Sequence, residues 1–133
     1  MTVDCVSHPD NHGYAGRLGA AVYDHDAANC GFVEAAITTV FNVTPEALRA
    51  PTRSCAEVAL ARQVAMYVMH VVFGWSLTSV GRHFGRDRTT AGHACRRVED
   101  QRDDPAFDAM LTAIERAAAA CRTAARVRWE WSH

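Results

Sequence analysis

The chain contains no lysine, and all fourteen of its positively charged side chains are arginines. Without lysine it cannot form the nucleotide-binding loop Gly-x-x-x-x-Gly-Lys-[Ser/Thr], and no other stretch resembles that loop. No apolar run reaches the roughly 18 residues of a membrane span, and Asp4 interrupts any signal-peptide start. The five cysteines are odd in number and scattered, which is typical of free thiols in a reducing compartment. These absences predict a cytoplasmic protein that binds neither nucleotide nor membrane.

A catalytic or metal-binding constellation is also missing from the sequence. No nucleophile–base pattern and no cofactor loop can be recognised. The spacing of Cys5, His8 and His12 would suit a metal, but no second Cys/His pair closes a zinc site. His70 and His83 flank apolar segments, and we interpret them as packed or surface histidines. We therefore expect no enzyme activity, no metal and no cofactor.

Charge is distributed unevenly along the chain. The 133 residues are 49% hydrophobic, enough for one compact domain, and the net charge is only −1. Residues 1–48 carry −5, residues 49–102 carry +5 and residues 103–133 carry −1. A positive middle between acidic flanks is the electrostatic pattern of a surface that binds nucleic acid.

Periodicity and capping residues predict helices and no strands. The expected helices span about 27–42, 55–73, 77–84, 88–101 and 106–128, and a further short helix starts at Thr44-Pro45-Glu46. Their predicted caps are Thr44, Ser76, Asp87 and a capping box at Ser54-Cys55-Ala56-Glu57. Residues expected to face the core are Phe32, Ala36, Ile37 and Val40 in the first helix, and Leu60, Val64, Tyr67, Val68, Val71 and Val72 in the third. The prediction is an all-α fold of five or six helices with a helix-turn-helix at 77–101.

The second helix of this helix-turn-helix has two distinct faces. Thr89, Thr90, His93 and Arg96 share the side predicted to be exposed. The other side carries Ala91, Ala94, Cys95 and Val98, which is the spacing of a helix packed on a core. A basic helix that begins directly after a tight turn suits insertion into the DNA major groove. The sequence therefore predicts a protein that binds double-stranded DNA.

Three segments resemble a known family. They are Ala61-Arg62-Gln63-Val64-Ala65-Met66-Tyr67, then Ser76-Leu77-Thr78-Ser79-Val80-Gly81, then Phe84-Gly85-Arg86-Asp87-Arg88-Thr89-Thr90 continued by His93-Ala94-Cys95-Arg96-Arg97-Val98-Glu99. In order and spacing the span from about Phe32 to Ile114 resembles the C-terminal DNA-binding domain (domain IV) of the bacterial replication initiator DnaA. The resemblance implies the helix-turn-helix fold of the Trp repressor and of DnaA domain IV, here without the initiator's ATPase module.

The resemblance also implies roles for individual residues. Base edges in the major groove would be contacted by Asp87, Arg88, Thr89 and Thr90, and the minor groove by Arg53. Phosphates would be contacted by Arg62, Gln63 and His93. The remaining cations of the signature helix and its turn, Arg86, Arg96 and Arg97, would complete the DNA-binding surface.

This sequence departs from the family pattern at several positions. Only Gly85 precedes Arg86 where the family usually has two glycines, and Arg88 replaces the usual histidine. Because arginine prefers guanine, we expect the preferred DNA site to differ at that position. Gly92 lies inside a helix, and between Arg49 and Arg62 the loop has a single cation, Arg53. We expect weaker phosphate anchoring than in the initiator.

The predicted organisation has three parts. Residues 1–25 form a flexible arm, residues 26–116 the DNA-binding domain and residues 117–133 a helical extension. The extension was open to three interpretations, namely a surface for a homodimer or protein partner, an extra phosphate contact, or a frayed tail. The predicted function is sequence-specific binding at DnaA-box-like sites in the cytoplasm, at the nucleoid, to regulate transcription or replication. The alternative is a helical protein-interaction module that no longer recognises specific DNA.

Overall fold

The computed structural model describes residues 25–51 and 55–127, with side chains from residue 29 onward. This part of the chain folds into six helices and contains no strand. They are α1 (His25–Phe41), α2 (Pro45–Arg49), α3 (Ala56–Val71), α4 (Leu77–His83), α5 (Arg88–Gln101) and α6 (Pro105–Val127). The all-α fold with a helix-turn-helix, formed by α4 and α5, is therefore confirmed. None of these helices has the length and apolar composition needed to span a bilayer.

Three of the predicted caps are present. The side-chain oxygens of Thr44, Ser76 and Asp87 accept hydrogen bonds from backbone N–H groups in the first turns of α2, α4 and α5. Each satisfies a donor that has no partner within its helix. The third helix differs from the prediction, because α3 begins at Ala56 after Cys55, whose side chain makes no capping bond. Ser54, the predicted cap, lies outside the described residues.

The core is organised around α3. From Ala61 to Met69 this helix has only one residue that is not buried, Gln63. Such burial on nearly all sides is expected of a helix surrounded by its neighbours, and α3 packs against α1, α2, α4, α5 and α6. The central position of α3 fixes where α4 and α5 can lie, and it thereby sets the orientation of the helix-turn-helix.

The predicted core faces of α1 and α3 are partly wrong. Val40 and Val71 are exposed, at 46% and 49% of their surface. Ile37 is buried as predicted, and the other buried side chains described in α1 are Cys30, Val33 and Glu34. The core face of α1 was misassigned because Glu34 occupies a core position. The apolar residues taken without it indicate a face of the helix that is displaced by about one position.

The last helix packs on the domain over most of its described length. Phe107, Leu111, Ile114 and Ala118, which follow helical spacing, are buried. Further along, Arg122 donates to the backbone carbonyl of Val72, just after the end of α3. The helix continues from Pro105 to Val127 without a break. The boundary proposed at 116 stays a prediction, as does the arm, since residues 1–24 lie outside the described part of the chain.

Candidate nucleic-acid interface

The turn between α4 and α5 is built from close backbone contacts. Gly85 has a φ of +69°, a left-handed conformation that glycine adopts without steric cost. The N–H of Arg86 then donates to the carbonyl oxygen of Gly81 at 2.8 Å. A Cβ on Gly81 would lie 2.8 Å from the carbonyl oxygens of both Arg86 and Asp87, so this position has no room for a side chain. These contacts determine where α5 begins.

The two faces of α5 are as predicted from its sequence. Ala91, Ala94 and Val98 are buried, and Cys95 is half-buried. The opposite face is exposed and consists of Arg88, Thr89, Thr90, His93, Arg96 and Arg97. Burial raises the pKa of the Cys95 thiol, with a smaller contribution from the negative charge of Glu99. A thiol held protonated in this way behaves as a small apolar group, so the polar chemistry of α5 belongs to its exposed face.

Asp87 begins α5 and is itself exposed. Its carboxylate accepts from the N–H of Thr90 at 2.8 Å. The backbone and then the hydroxyl of Thr90 lower the pKa of Asp87 by hydrogen bonding to its charged form. Because this pKa is lower in the folded state, the cap stabilises α5 above the ordinary aspartate pKa, and its contribution is lost as the pH falls through the lowered value. At neutral pH Asp87 is therefore a charged group at the start of the exposed face.

A groove of about 180 Å³ lies between α3 and α5. It is lined by Ala59, Arg62, Gln63, Met66, Arg86, Thr90, His93, Ala94 and Arg97. Six of these nine residues were predicted DNA contacts, although they come from two separate parts of the sequence, 62–63 and 86–97. The fold therefore brings the Arg62–Gln63 segment alongside the exposed face of α5, where both can face one phosphate backbone.

Arg62 is not a freely exposed cation. Its side chain is buried, and its Nε and one terminal nitrogen donate to the carbonyl oxygens of Leu48 and Ala47 at 2.6 and 2.9 Å. Burial, followed by the neighbouring charge of Arg86, lowers the pKa of Arg62. The guanidinium thus fastens the end of α2 to α3, and the phosphate contact predicted for Arg62 stays a prediction.

Arg86 has a similar structural role. Its two terminal nitrogens donate to the carbonyl oxygens of Phe84 at 2.7 Å and of Ala50 at 3.1 Å. The first bond supports the turn, and the second joins the turn to the segment after α2. Arg53, the predicted minor-groove contact, lies outside the described residues, just beyond that segment. Sequence reasoning missed the contact with Ala50 because nothing local signals a partner 36 positions away.

A second polar cluster, which the sequence did not predict, lies where α1, α2 and α4 meet. Glu34 is 2% exposed, and its carboxylate accepts from Arg49 at 3.1 and 3.0 Å and from His83 at 2.9 Å. The sulfur of Cys30, one turn before Glu34, lies 3.0 Å from Nε2 of His83. His83 is indeed a packed histidine, but its partners are polar. The spacing of Cys30 and Glu34 at i and i+4 was the only local signal.

Comparison with known proteins matches this same part of the chain. The family described as the bacterial DnaA protein helix-turn-helix matches residues 32–98, from α1 to the last turn of α5. The chain is 40% identical over 63 residues to the chromosomal replication initiator protein DnaA 1 of Protochlamydia amoebophila, covering 47% of this chain and 14% of that protein. It is 37% identical over 65 residues to the DnaA protein of Deinococcus deserti, covering 49% of this chain and 14% of that protein.

These matches cover only a small part of the relatives. An initiator protein designated DnaA 2 from Chlamydia trachomatis also aligns over 65 residues at 37% identity, again over 14% of its length. The residues matched by the family, 32–98, include the helix-turn-helix and the α3 helix beneath it, together with α2 and most of α1. With half of the chain matched by the family, with the predicted caps of α4 and α5 present and with the two faces of α5 as predicted, the chain belongs to the bacterial DnaA helix-turn-helix family of DNA-binding domains.

Proposed function

We propose that this protein binds double-stranded DNA in a sequence-specific manner at DnaA-box-like sites, and that it regulates transcription or replication initiation without ATPase activity of its own. The observation that carries the proposal is the exposed face of α5. Three arginines, two threonines and a histidine lie there together, directly after the turn of a helix-turn-helix. No part of this face is needed to cover the core.

The first turn of α5 supplies the groups that distinguish bases. Arg88 is exposed at the first position of the helix and can donate two hydrogen bonds to the O6 and N7 atoms of a guanine. Thr89 and Thr90, also exposed, offer a hydroxyl and a methyl group each, and a threonine methyl can contact the methyl group of thymine. The charged Asp87 can accept from the amino group of a cytosine.

The groove between α3 and α5 supplies contacts that hold the protein on the DNA. Gln63, His93 and Arg97 line it at the edge of the exposed face. Contacts of this kind position the duplex and carry no sequence information themselves. Since Arg62 and Arg86 donate to backbone carbonyls, fewer guanidinium hydrogens remain for phosphates, and the dependence of binding on salt should be shallower than the number of arginines suggests.

The alternative function places the contact with a protein partner or a second copy at the end of α6. The apolar face of that helix is buried as far as Ala118, and Val127 is 77% exposed. Residues 128–133 lie outside the described part of the chain, so the three interpretations of the extension stay predictions. The protein-interaction function is therefore the alternative outcome of the DNA-binding test.

Fluorescence-anisotropy titrations at two salt concentrations test the proposal. One labelled duplex carries a DnaA-box-like site and the other a scrambled sequence of the same composition. We expect tighter binding to the first, or to a site selected from a random pool, and specific complexes usually exceed non-specific ones by about a thousandfold or more. Absence of binding to both duplexes and to the pool at low salt would contradict DNA binding and favour a protein-interaction module.

Two matched variants test whether Arg88 is responsible for the preference for the specific DNA sequence. We expect Arg88→Ala to reduce the preference for the specific duplex by about 1–3 kcal/mol while the protein remains as stable as the wild type. Arg116→Ala, which removes an exposed arginine from α6, should leave both affinities unchanged. Equal losses on the specific and scrambled duplexes for Arg88→Ala would show that Arg88 contacts the backbone and not a base.

A further inference from the structure

Cys30, Glu34 and His83 bring three different metal-binding atoms to one buried point. The sulfur of Cys30 lies 3.0 Å from Nε2 of His83 and 3.6 Å from Oε2 of Glu34. Nε2 of His83 and Oε2 of Glu34 are 2.9 Å apart. The three atoms thus form a small triangle in which each corner is a thiol, an imidazole nitrogen or a carboxylate oxygen. We propose that this triangle is a zinc-binding site.

The dimensions of the triangle are close to those of a zinc site. Zinc lies about 2.3 Å from cysteine sulfur and about 2.0–2.2 Å from histidine nitrogen or carboxylate oxygen, in a tetrahedral arrangement. Ligand atoms at these distances are about 3.3–3.6 Å from each other. Two of the three separations therefore need to lengthen by about half an ångström, and the third already fits. We expect side-chain rotations to supply a change of this size.

The helices hold the three ligands in place. Cys30 and Glu34 are four residues apart on α1 and so lie on the same face of that helix. His83 belongs to the last turn of α4, and its ring makes edge-on contacts with Trp75 and Phe84. Cys30 and Glu34 are 5% and 2% exposed. A ligand set that is already ordered loses little conformational entropy when the ion binds.

The surrounding charges also suit a divalent ion. Cys30 binds as a thiolate, so its proton leaves to solvent as the zinc–sulfur bond forms. The thiolate and the Glu34 carboxylate each bring one negative charge to zinc, and the guanidinium of Arg49, which pairs with Glu34, offsets part of that charge. Arg49 donates to both oxygens of Glu34, and the bond to Oε1 at 3.1 Å can persist while Oε2 binds zinc. A hydrogen-bonded carboxylate of this kind keeps its orientation toward the metal. A fourth ligand, such as water, completes the coordination.

Zinc is the ion that this donor set favours. A thiolate is a soft ligand and an imidazole a borderline one, and magnesium and calcium prefer neither, whereas zinc binds both of them and also a carboxylate oxygen. Bound there, the ion would join α1 to the first helix of the helix-turn-helix. The consequence would be a fold whose DNA-binding element is more stable when zinc is present.

Zinc titration of the full-length, reduced and metal-free chain tests the proposal. The affinity is measured by competition with a chromophoric chelator, and the melting temperature is recorded with and without zinc. We expect one zinc per chain and a higher melting temperature. Cys30→Ser and His83→Gln should each weaken binding by at least about tenfold and abolish the temperature shift. Failure of the wild type to bind zinc would overturn the proposal.

Two control variants separate this site from other cysteines. Cys55→Ser removes an exposed thiol and should bind zinc as the wild type does. Cys5→Ser removes a ligand from the alternative set formed by Cys5, His8 and His12, and it should also bind normally. Loss of zinc binding in Cys5→Ser, together with normal binding in Cys30→Ser, would assign the ion to the other set and overturn the proposal.

A measurement on the wild type alone avoids dependence on the folding of variants. Alkylation by iodoacetamide is followed at each cysteine by mass spectrometry, with and without saturating zinc. Zinc should slow the modification of Cys30 by at least tenfold and leave the exposed Cys55 unaffected, because a metal-bound thiolate does not react freely. Equal rates at Cys30 in both conditions would overturn the proposal, whatever the result for DNA binding.

Discussion

The N–H of Arg86 donates to the carbonyl oxygen of Gly81 at 2.8 Å, across the turn of the helix-turn-helix. This contact is possible because Gly81 has no side chain on the side that faces the turn. The first and second helices of the DNA-binding element are therefore fixed relative to each other by backbone atoms. Side-chain packing alone would allow small changes in the angle between α4 and α5, whereas this hydrogen bond restricts them.

We predict that Gly81→Ala disturbs the turn and that Gly92→Ala does not. A Cβ at Gly81 would lie 2.8 Å from two backbone oxygens, whereas at Gly92 the nearest atom is Cδ1 of Leu77 at 3.7 Å. Gly81→Ala should destabilise the fold by about 1–3 kcal/mol, as overpacking does. Gly92→Ala should stabilise it by up to about 1 kcal/mol, because alanine is the better helix former. Urea unfolding of both variants checks this, and a stable Gly81→Ala variant with wild-type DNA affinity would contradict it.

For Arg62→Ala we expect two separate effects. The carbonyl oxygens of Ala47 and Leu48 lose their guanidinium partner, which should lower the free energy of unfolding by about 1–3 kcal/mol. DNA affinity should fall equally on specific and scrambled duplexes, because a phosphate contact carries no sequence preference. The adjacent Gln63→Ala is the control, with weaker DNA binding and a stability change within about 0.5 kcal/mol. An Arg62→Ala protein as stable as the wild type would show that the carbonyl bonds contribute little.

Arg102 is expected to stabilise the fold without any part in DNA binding. Its guanidinium donates to Glu115, Asp108, Thr112 and the hydroxyl of Tyr67, and thereby links the end of α5 to α6 and α3. Hydrogen bonds to Glu115 and then Asp108 raise the pKa of Arg102, so the network keeps its positive charge at any ordinary pH. Arg102→Ala should lower the free energy of unfolding by about 1–3 kcal/mol.

Arg116→Ala is the matched control for Arg102→Ala, since it removes an exposed arginine from the same region. Chemical denaturation of the two variants, followed by circular dichroism, measures the difference. If both variants unfold at the same denaturant concentration, the network around Arg102 contributes no net stability. The DNA affinity of each should match the wild type at a temperature where both are folded.

Local chemistry made part of this fold predictable. The starts of three helices could be predicted from their capping residues, Thr44, Ser76 and Asp87. A capping side chain accepts a hydrogen bond from a backbone N–H only three residues further along the chain, so the signal is local. The face of α5 was predictable for a similar reason, since its apolar residues repeat at helical spacing and its polar residues occupy the rest. Both signals lie within a single helix or its first turn.

Long-range polar contacts were not predictable. Glu34 counts as a surface residue in any pattern of apolar positions, yet it is buried by partners 15 and 49 positions away. That burial also explains why the core face of α1 was misassigned. Likewise, Arg62 and Arg86 have the sequence context of DNA contacts, and their bonds to backbone carbonyls depend on where α2 lies. These hydrogen-bond partners are determined by the tertiary fold, and a local sequence motif does not predict them.

The carbonyls that accept from Arg62 and Arg86 have a consequence for how this surface can evolve. Both arginines hold the stretch from Ala47 to Ala50, from which the chain continues toward Arg53. A substitution in the turn or in α3 therefore also changes the point from which that loop departs. The effects of mutations in the two regions should be non-additive. A change of DNA preference at one part of the site would then require compensating changes at the other, so that specificity shifts through paired substitutions.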